Sequence, residues 1–173
     1  MLCNKMGHKE LARDLFVEGY NCAQAVFVAF CDVTGLSRDY ALRLSSSFGG
    51  GMGRLREVCG AVSGMFMVAG ILYGYTSPTD DGQKKEHYAL IQSLAAKFKE
   101  RTHGDSIICR ELLCALSAEK KAASDTASTP TPRNDEFYKA RPCLRFVECA
   151  AEILDELIAE KGISANKRPA AAG

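Results

Sequence analysis

The 173-residue chain has no tryptophan and no surplus charge of either sign: 22 lysines and arginines stand against 21 aspartates and glutamates, for a net charge of +1. That balance removes the electrostatic case for nucleic acid or an acidic partner. No two cysteines are spaced Cys-x-x-Cys, which sets aside a thioredoxin-type motif and a zinc ribbon in their usual forms. Without Cys-x-x-Cys-His there is no motif for covalent haem. His8, His87 and His103 lack metal-pair spacing and read as surface residues. Ser45, Ser46 and Ser47 have no histidine or acid close by in sequence, so hydrolase chemistry has no foothold. The glycine run Gly49–Gly53 lacks the Lys-Ser/Thr that completes a P-loop. Its expected role is to let backbone approach the next helix closely. The N-terminus, Met1 to Met6, has no apolar stretch of the signal-peptide kind. A reducing cytoplasm is the expected location, and there cysteines ligate, catalyse or pack more often than they bridge.

Eight cysteines are present in a chain long enough to make a core without staples. The run Val58–Gly74 is uncharged, but it is short for a membrane span and carries four glycines. A core helix that is apolar all round explains it better, and no membrane span is expected.

Apolar spacing and punctuation predict helices over about 8–18, 22–33, 38–48, 58–73, 81–102, 109–116 and 143–161. Ser37 is the expected cap of the third, and Gly35 and Gly162 are expected stops. In the long helix 81–102, Tyr88, Ile91, Leu94, Ala95 and Phe98 share a side. No stretch alternates apolar and polar residues over a strand's length. The expected fold is all-α: one helical domain over 1–162, bundled around the apolar helix at about 58–73. A disordered tail is expected over 163–173, and Ser124–Asn134 reads as a mobile loop.

Four cysteines sit where a helix should begin. Cys22 follows Asn21, Cys59 follows the glycine loop, Cys109 opens Cys109-Arg110-Glu111-Leu112, and Cys143 follows Pro142. Helix starts present unpaired N–H groups and the positive end of the macrodipole, which ease loss of the thiol proton. Arg54 and Arg56 add positive charge near Cys59, and Gly60, Ala61 and Gly64 leave little side chain between its sulfur and a neighbouring helix. The candidate catalytic or metal-ligating set is therefore Cys22, Cys59, Cys109 and Cys143, with Gly60 and Arg54 as cofactor-binding neighbours. Cys114 and Cys149 fall on other faces of their helices. With Cys31 and Cys3, they read as small hydrophobes or end residues.

The ordered motifs Tyr20-Asn21-Cys22-Ala23-Gln24-Ala25, Phe48-Gly49-Gly50-Gly51-Met52-Gly53, Cys59-Gly60-Ala61-Val62-Ser63-Gly64, Cys109-Arg110-Glu111-Leu112 and Cys143 resemble the C_GCAxxG_C_C family. The resemblance covers about Leu11–Ile158 and singles out the same four cysteines. It implies a redox-active protein with four characteristic cysteines, and a helical domain related to that of split-Soret cytochromes.

Two chemistries fit a converging set. Four thiolates suit an iron–sulfur cluster or another thiophilic metal. They also suit two dithiol/disulfide pairs exchanging electrons with a redox partner. Glycine and arginine around Cys59 suit a small anionic substrate or a partner's disulfide as well. A structural zinc site follows from the same thiolates. A helical binding module with cysteines as core filler is the alternative from another class, and the small residues Gly60 and Gly64 would suit a homodimer.

Overall fold

The computed structural model describes residues 7–163. Tail residues 164–173 and Cys3 lie outside that range. Among the described residues the fold is all-α, with one isolated backbone bridge and no strand. Helix α1 (His8–Glu18) stops at Gly19, whose φ of 120° needs glycine. Helix α2 (Cys22–Ala29) is opened by a capping box: the Asn21 side chain accepts the N–H groups of Ala23 and Gln24, and Asn21 N–H donates to Gln24 Oε1. The expected continuation to Val33 is interrupted at Phe30 (φ −103°, ψ 19°), whose buried ring stacks on His8 at 4.2 Å. The chain resumes as α3 (Cys31–Thr34) and ends at Gly35. Ser37 caps α4 (Arg38–Ser46) by accepting the Tyr40 N–H.

One helix-like turn, α5 (Gly49–Met52), contains Gly50 and Gly51 at positive φ. The apolar helix follows as α6 (Gly60–Tyr73), then α7 (Asp81–Thr102) and α8 (Cys109–Leu116). A 3-10 turn at Lys120–Ala123 and α9 (Asp135–Ala140) were not expected from the sequence. Helix α10 (Cys143–Lys161) runs to Gly162.

Helix α2 packs against α1, α4, α6 and α10, while α6 packs against α2, α10 and α7. Phe16, Phe27, Phe30, Met65, Phe98, Phe146, Ile153 and Leu154 are fully or nearly fully buried between them. The contact of α2 with α6 depends on missing side chains. A Cβ on Gly64 would lie 2.8 Å from the Ala23 carbonyl oxygen, and one on Gly60 would lie 3.1 Å from Cys22 Cβ. The small-residue face read as a surface for a second subunit is therefore taken up within the chain. Phe66, Met67, Ile71 and Tyr73 of α6 are half-buried. On α7, Leu94 and Phe98 face the core as expected. Tyr88 instead is 54% exposed and pairs its hydroxyl with that of Tyr75 at 3.0 Å.

His8 is not a lone surface residue. Its Nδ1 lies 2.5 Å from an Asp155 carboxylate oxygen and its Nε2 3.0 Å from Asp32, so α1, α3 and α10 meet at one imidazole. Lys9 adds an ion pair with Glu152. No helix among the described residues is long and apolar enough to cross a membrane.

Candidate functional site

Each of the four singled-out cysteines stands at a helix start. Cys22, Cys109 and Cys143 are the first residues of α2, α8 and α10, and Cys59 immediately precedes α6. Two short-range devices bring Cys22, Cys59 and Cys109 together. The first is the isolated antiparallel bridge Val58↔Ile108. Around it, Cys59 N–H donates to Ile107 O at 2.8 Å and Cys109 N–H to Glu57 O at 2.6 Å. These bonds set the starts of α6 and α8 side by side, although almost fifty residues separate them. The second is the close approach at Gly60, which brings Cys22 against the start of α6.

All four cysteines line one cavity of about 430 Å³. Gly49, Gly50, Gly51 and Gly60 form part of its wall, with Leu112, Leu113, Phe137 and Phe146 as its apolar lining. The closeness of the thiols shows in their mutual effects. Cys143 is held well above the ordinary thiol pKa, first by its hydrogen-bonding neighbour Cys22 and then by burial. Burial raises Cys109, and Cys143 adds to it. Burial likewise raises Cys59 strongly, with smaller contributions from Cys109 and Cys143.

For Cys59, Cys109 and Cys143 the expected acidification is therefore overturned. The N–H groups of Ala61 and Val62 do pull Cys59 down, as a helix start should, and Arg56 and Arg141 pull Cys109 down. Removing a thiolate from water costs more than those dipoles and charges return. The seven cysteines among the described residues are unbridged. No three histidine, cysteine or acidic side chains among the described residues stand close enough together to hold a metal ion.

The remaining cysteines fall elsewhere. Cys114 is exposed. Cys149 lies outside the cavity wall, and burial pushes its thiol up to about 11. Cys31 is partly buried beside the α1–α3 contact and is also raised by burial.

Sequence reasoning missed the arginines' true setting. Arg54, Arg56, Arg133 and Arg141 all line the cavity, and no acidic residue does. Arg54 is committed to the segment 124–134. It donates from Nε to Ala127 O (2.5 Å), from Nη1 to Thr131 Oγ1 (2.9 Å) and from Nη2 to Asp125 Oδ2 (2.7 Å). Arg56, 3% exposed, donates to the Asp125 carbonyl at 2.8 Å, while its Nη2 is buried and completes no hydrogen bond. Arg133 is held between the rings of Phe16 and Phe137, 4.4 and 4.6 Å from their centroids, and its Nη1 is also buried without a partner. Arg141 pairs with Glu119. The segment read as a free loop is thus fastened to the site, and Ser128, Pro130, Thr131 and Arg133 belong to the cavity wall. Its arginine was visible in the sequence, but nothing local announced the partners.

The loop carrying Arg54 and Arg56 has an unusual backbone. Gly50, Gly51, Met52, Gly53, Arg54 and Arg56 all have φ between 59° and 74°. For Met52, Arg54 and Arg56 that conformation costs about 1–2 kcal/mol each. At Gly51 a Cβ would meet Cys109 Cβ at 2.7 Å, so the wall there has room only for hydrogen.

The sequence model of one protein family, described as "Putative redox-active protein (C_GCAxxG_C_C)", matches residues 20–157. That span is most of the chain and includes all four cavity cysteines, and the protein belongs to this family. No curated protein and no solved structure matches it.

Proposed function

We propose that Cys22, Cys59, Cys109 and Cys143 form a redox site that takes a polynuclear thiophilic centre, foremost an iron–sulfur cluster. One observation carries the reading: four thiols from four separate helix starts open onto a single cavity. Thiols held protonated, Cys59 and Cys109 first by burial and Cys143 first by its neighbour Cys22, are poor attacking groups in exchange. As ligands they lose nothing by it, because a bound metal displaces the proton. The N–H groups of Ala61 and Val62 then face an anionic sulfur, and Arg56 and Arg141 offset the charge at Cys109.

A single zinc ion is the weaker reading. Zn–S bonds of about 2.3 Å hold sulfurs about 3.8 Å apart, and among the described residues no three candidate ligands are grouped to hold one metal ion. A cluster spreads its ligands over several metal atoms, so its sulfurs stand further apart. When bound, such a centre passes electrons at a potential set by its charge, hydrogen bonds and exposure. Gly60 keeps Cys22 and Cys59 close, and Arg54 holds the 124–134 segment over the cavity. Electrons come from a redox partner, and the expected compartment is the cytoplasm.

A second reading is favoured by the Cys22–Cys143 contact. There the two thiols form a disulfide, giving two electrons and two protons to an acceptor disulfide, which becomes two thiols.

The test is iron, acid-labile sulfide and visible absorption of protein purified without oxygen, repeated on Cys59→Ser and Cys114→Ser. Expected are iron, sulfide and colour in the wild type, their loss in Cys59→Ser and their retention in Cys114→Ser. Colourless, metal-free protein whose thiols titrate in pairs would replace the cluster with the second reading.

A further inference from the structure

The cavity has more positive charge than its own residues use. Four arginines reach its wall and no aspartate or glutamate does. Arg54 and Arg141 have carboxylate partners just outside, in Asp125 and Glu119. Arg56 donates to the backbone oxygens of Asp125 and, at 3.5 Å, Gly50, and it interacts with the Cys109 thiol. Arg133 donates from Nη2 to the Tyr20 carbonyl oxygen at 3.4 Å and lies against two aromatic faces. Each leaves one guanidinium nitrogen buried with no acceptor. Such a nitrogen loses its hydration without a hydrogen bond in exchange, a costly arrangement for a cation.

The backbone is strained to keep it so. Six residues between 50 and 56 adopt left-handed φ, three of them not glycine, and this stretch carries Arg56 into the cavity. Strain of this kind gathers where a ligand is held.

We infer that the cavity is a binding site for a small molecule bearing an oxyanion group (carboxylate, sulfate or phosphate), with Arg56 Nη2 and Arg133 Nη1 as its charged donors. The planar guanidinium suits the paired oxygens of all three groups. The cavity volume exceeds what a bare anion fills, and Phe137, Phe146, Leu112 and Pro130 offer apolar surface to the rest of such a ligand. The inference deepens the proposed redox site by giving the class of molecule that reaches the sulfurs.

The test is calorimetric titration of reduced, metal-free full-length protein with sulfate, phosphate and acetate, each against chloride at matched ionic strength. One saturable site per chain is expected, and the anion bound most tightly identifies the group. Arg56→Gln and Arg133→Gln should each weaken binding about tenfold or more, the size of one charged hydrogen bond. Arg56→Lys, which keeps the charge but loses the fork, should fall between. Arg13→Gln, on an exposed pair with Asp14, should bind like the wild type. Urea midpoints show which variants fold, and if Arg56→Gln does not, Arg133→Gln and Arg56→Lys carry the comparison. The inference is overturned by a wild type that binds none of the three anions, or by folded variants that bind as the wild type does. Because the titration uses metal-free protein, its failure is distinct from failure to find a cluster.

Discussion

A single hydrogen in place of a methyl decides the geometry at Gly60. A Cβ there would lie 3.0 Å from Phe48 O, 3.1 Å from Cys22 Cβ and 3.2 Å from Ala23 N. Gly60→Ala should therefore push α2 from α6 and destabilise the protein by about 1–3 kcal/mol, as overpacking does. Gly70 lies in the same helix with nothing within 4 Å of its would-be Cβ. Gly70→Ala should stabilise by about 0.5–1 kcal/mol, because it removes only the backbone freedom of glycine. Paired urea melts check both signs. The thiols give a second prediction. Cys59, Cys109, Cys143 and Cys149 have folded-state pKa values above the ordinary 9.0. The unfolded chain gives up these protons first, so folding stability is whole below about pH 8.5 and falls as pH rises above it. For Cys149 the decline levels near pH 11. Metal-free protein should unfold at lower urea at pH 10 than at pH 7, and Cys59→Ala should flatten that dependence.

Among the elements, those whose ends are written in local chemistry were legible. Asn21 with Gln24 marks the start of α2, Gly19 the end of α1, and Gly162 the end of α10. The helix-start positions of Cys22, Cys59 and Cys143 were legible from Asn21, the glycine loop and Pro142 beside them. What escaped depends on distant partners. The bridge Val58↔Ile108 joins two segments too short to alternate. Helix α9 has six residues and one buried side chain, Phe137, too few for periodicity. The raised pKa values of Cys59 and Cys109 come first from burial and that of Cys143 first from its neighbour Cys22, and helix-start dipoles read from sequence include neither. The segment 124–134 looked free because Ser, Thr and Pro carry no apolar signal, yet Arg54 ties it at three points. Arg54→Ala should speed proteolysis and hydrogen exchange within that segment relative to the wild type. The unfolding free energy from urea melts should fall by only about 1 kcal/mol or less, because the ties are near the surface. Asp125, held below the usual carboxylate range by the Ala127 N–H and by Arg54, makes part of that fastening acid-labile. Its contribution is present at neutral pH and lost as pH falls through the lowered value.

Across the whole molecule, the cavity gathers residues from 19 to 146, so anything bound there closes loops spanning most of the fold. Removing a bound centre with chelator should lower Tm, and re-adding iron and sulfide should restore it. A ligand at a thousandfold excess over its Kd is worth about 4 kcal/mol to the folded state. The backbone of 50–56 sets stability against capability within one loop. Glycine at Met52 would relax the turn and leave every cavity group in place. Glycine at Arg56 would relax it equally and remove a guanidinium that nothing else replaces. Selection for a sturdier protein alone would thus drift toward glycine along this turn, and a variant library sorted first for melting temperature and then for anion capture should separate the two positions.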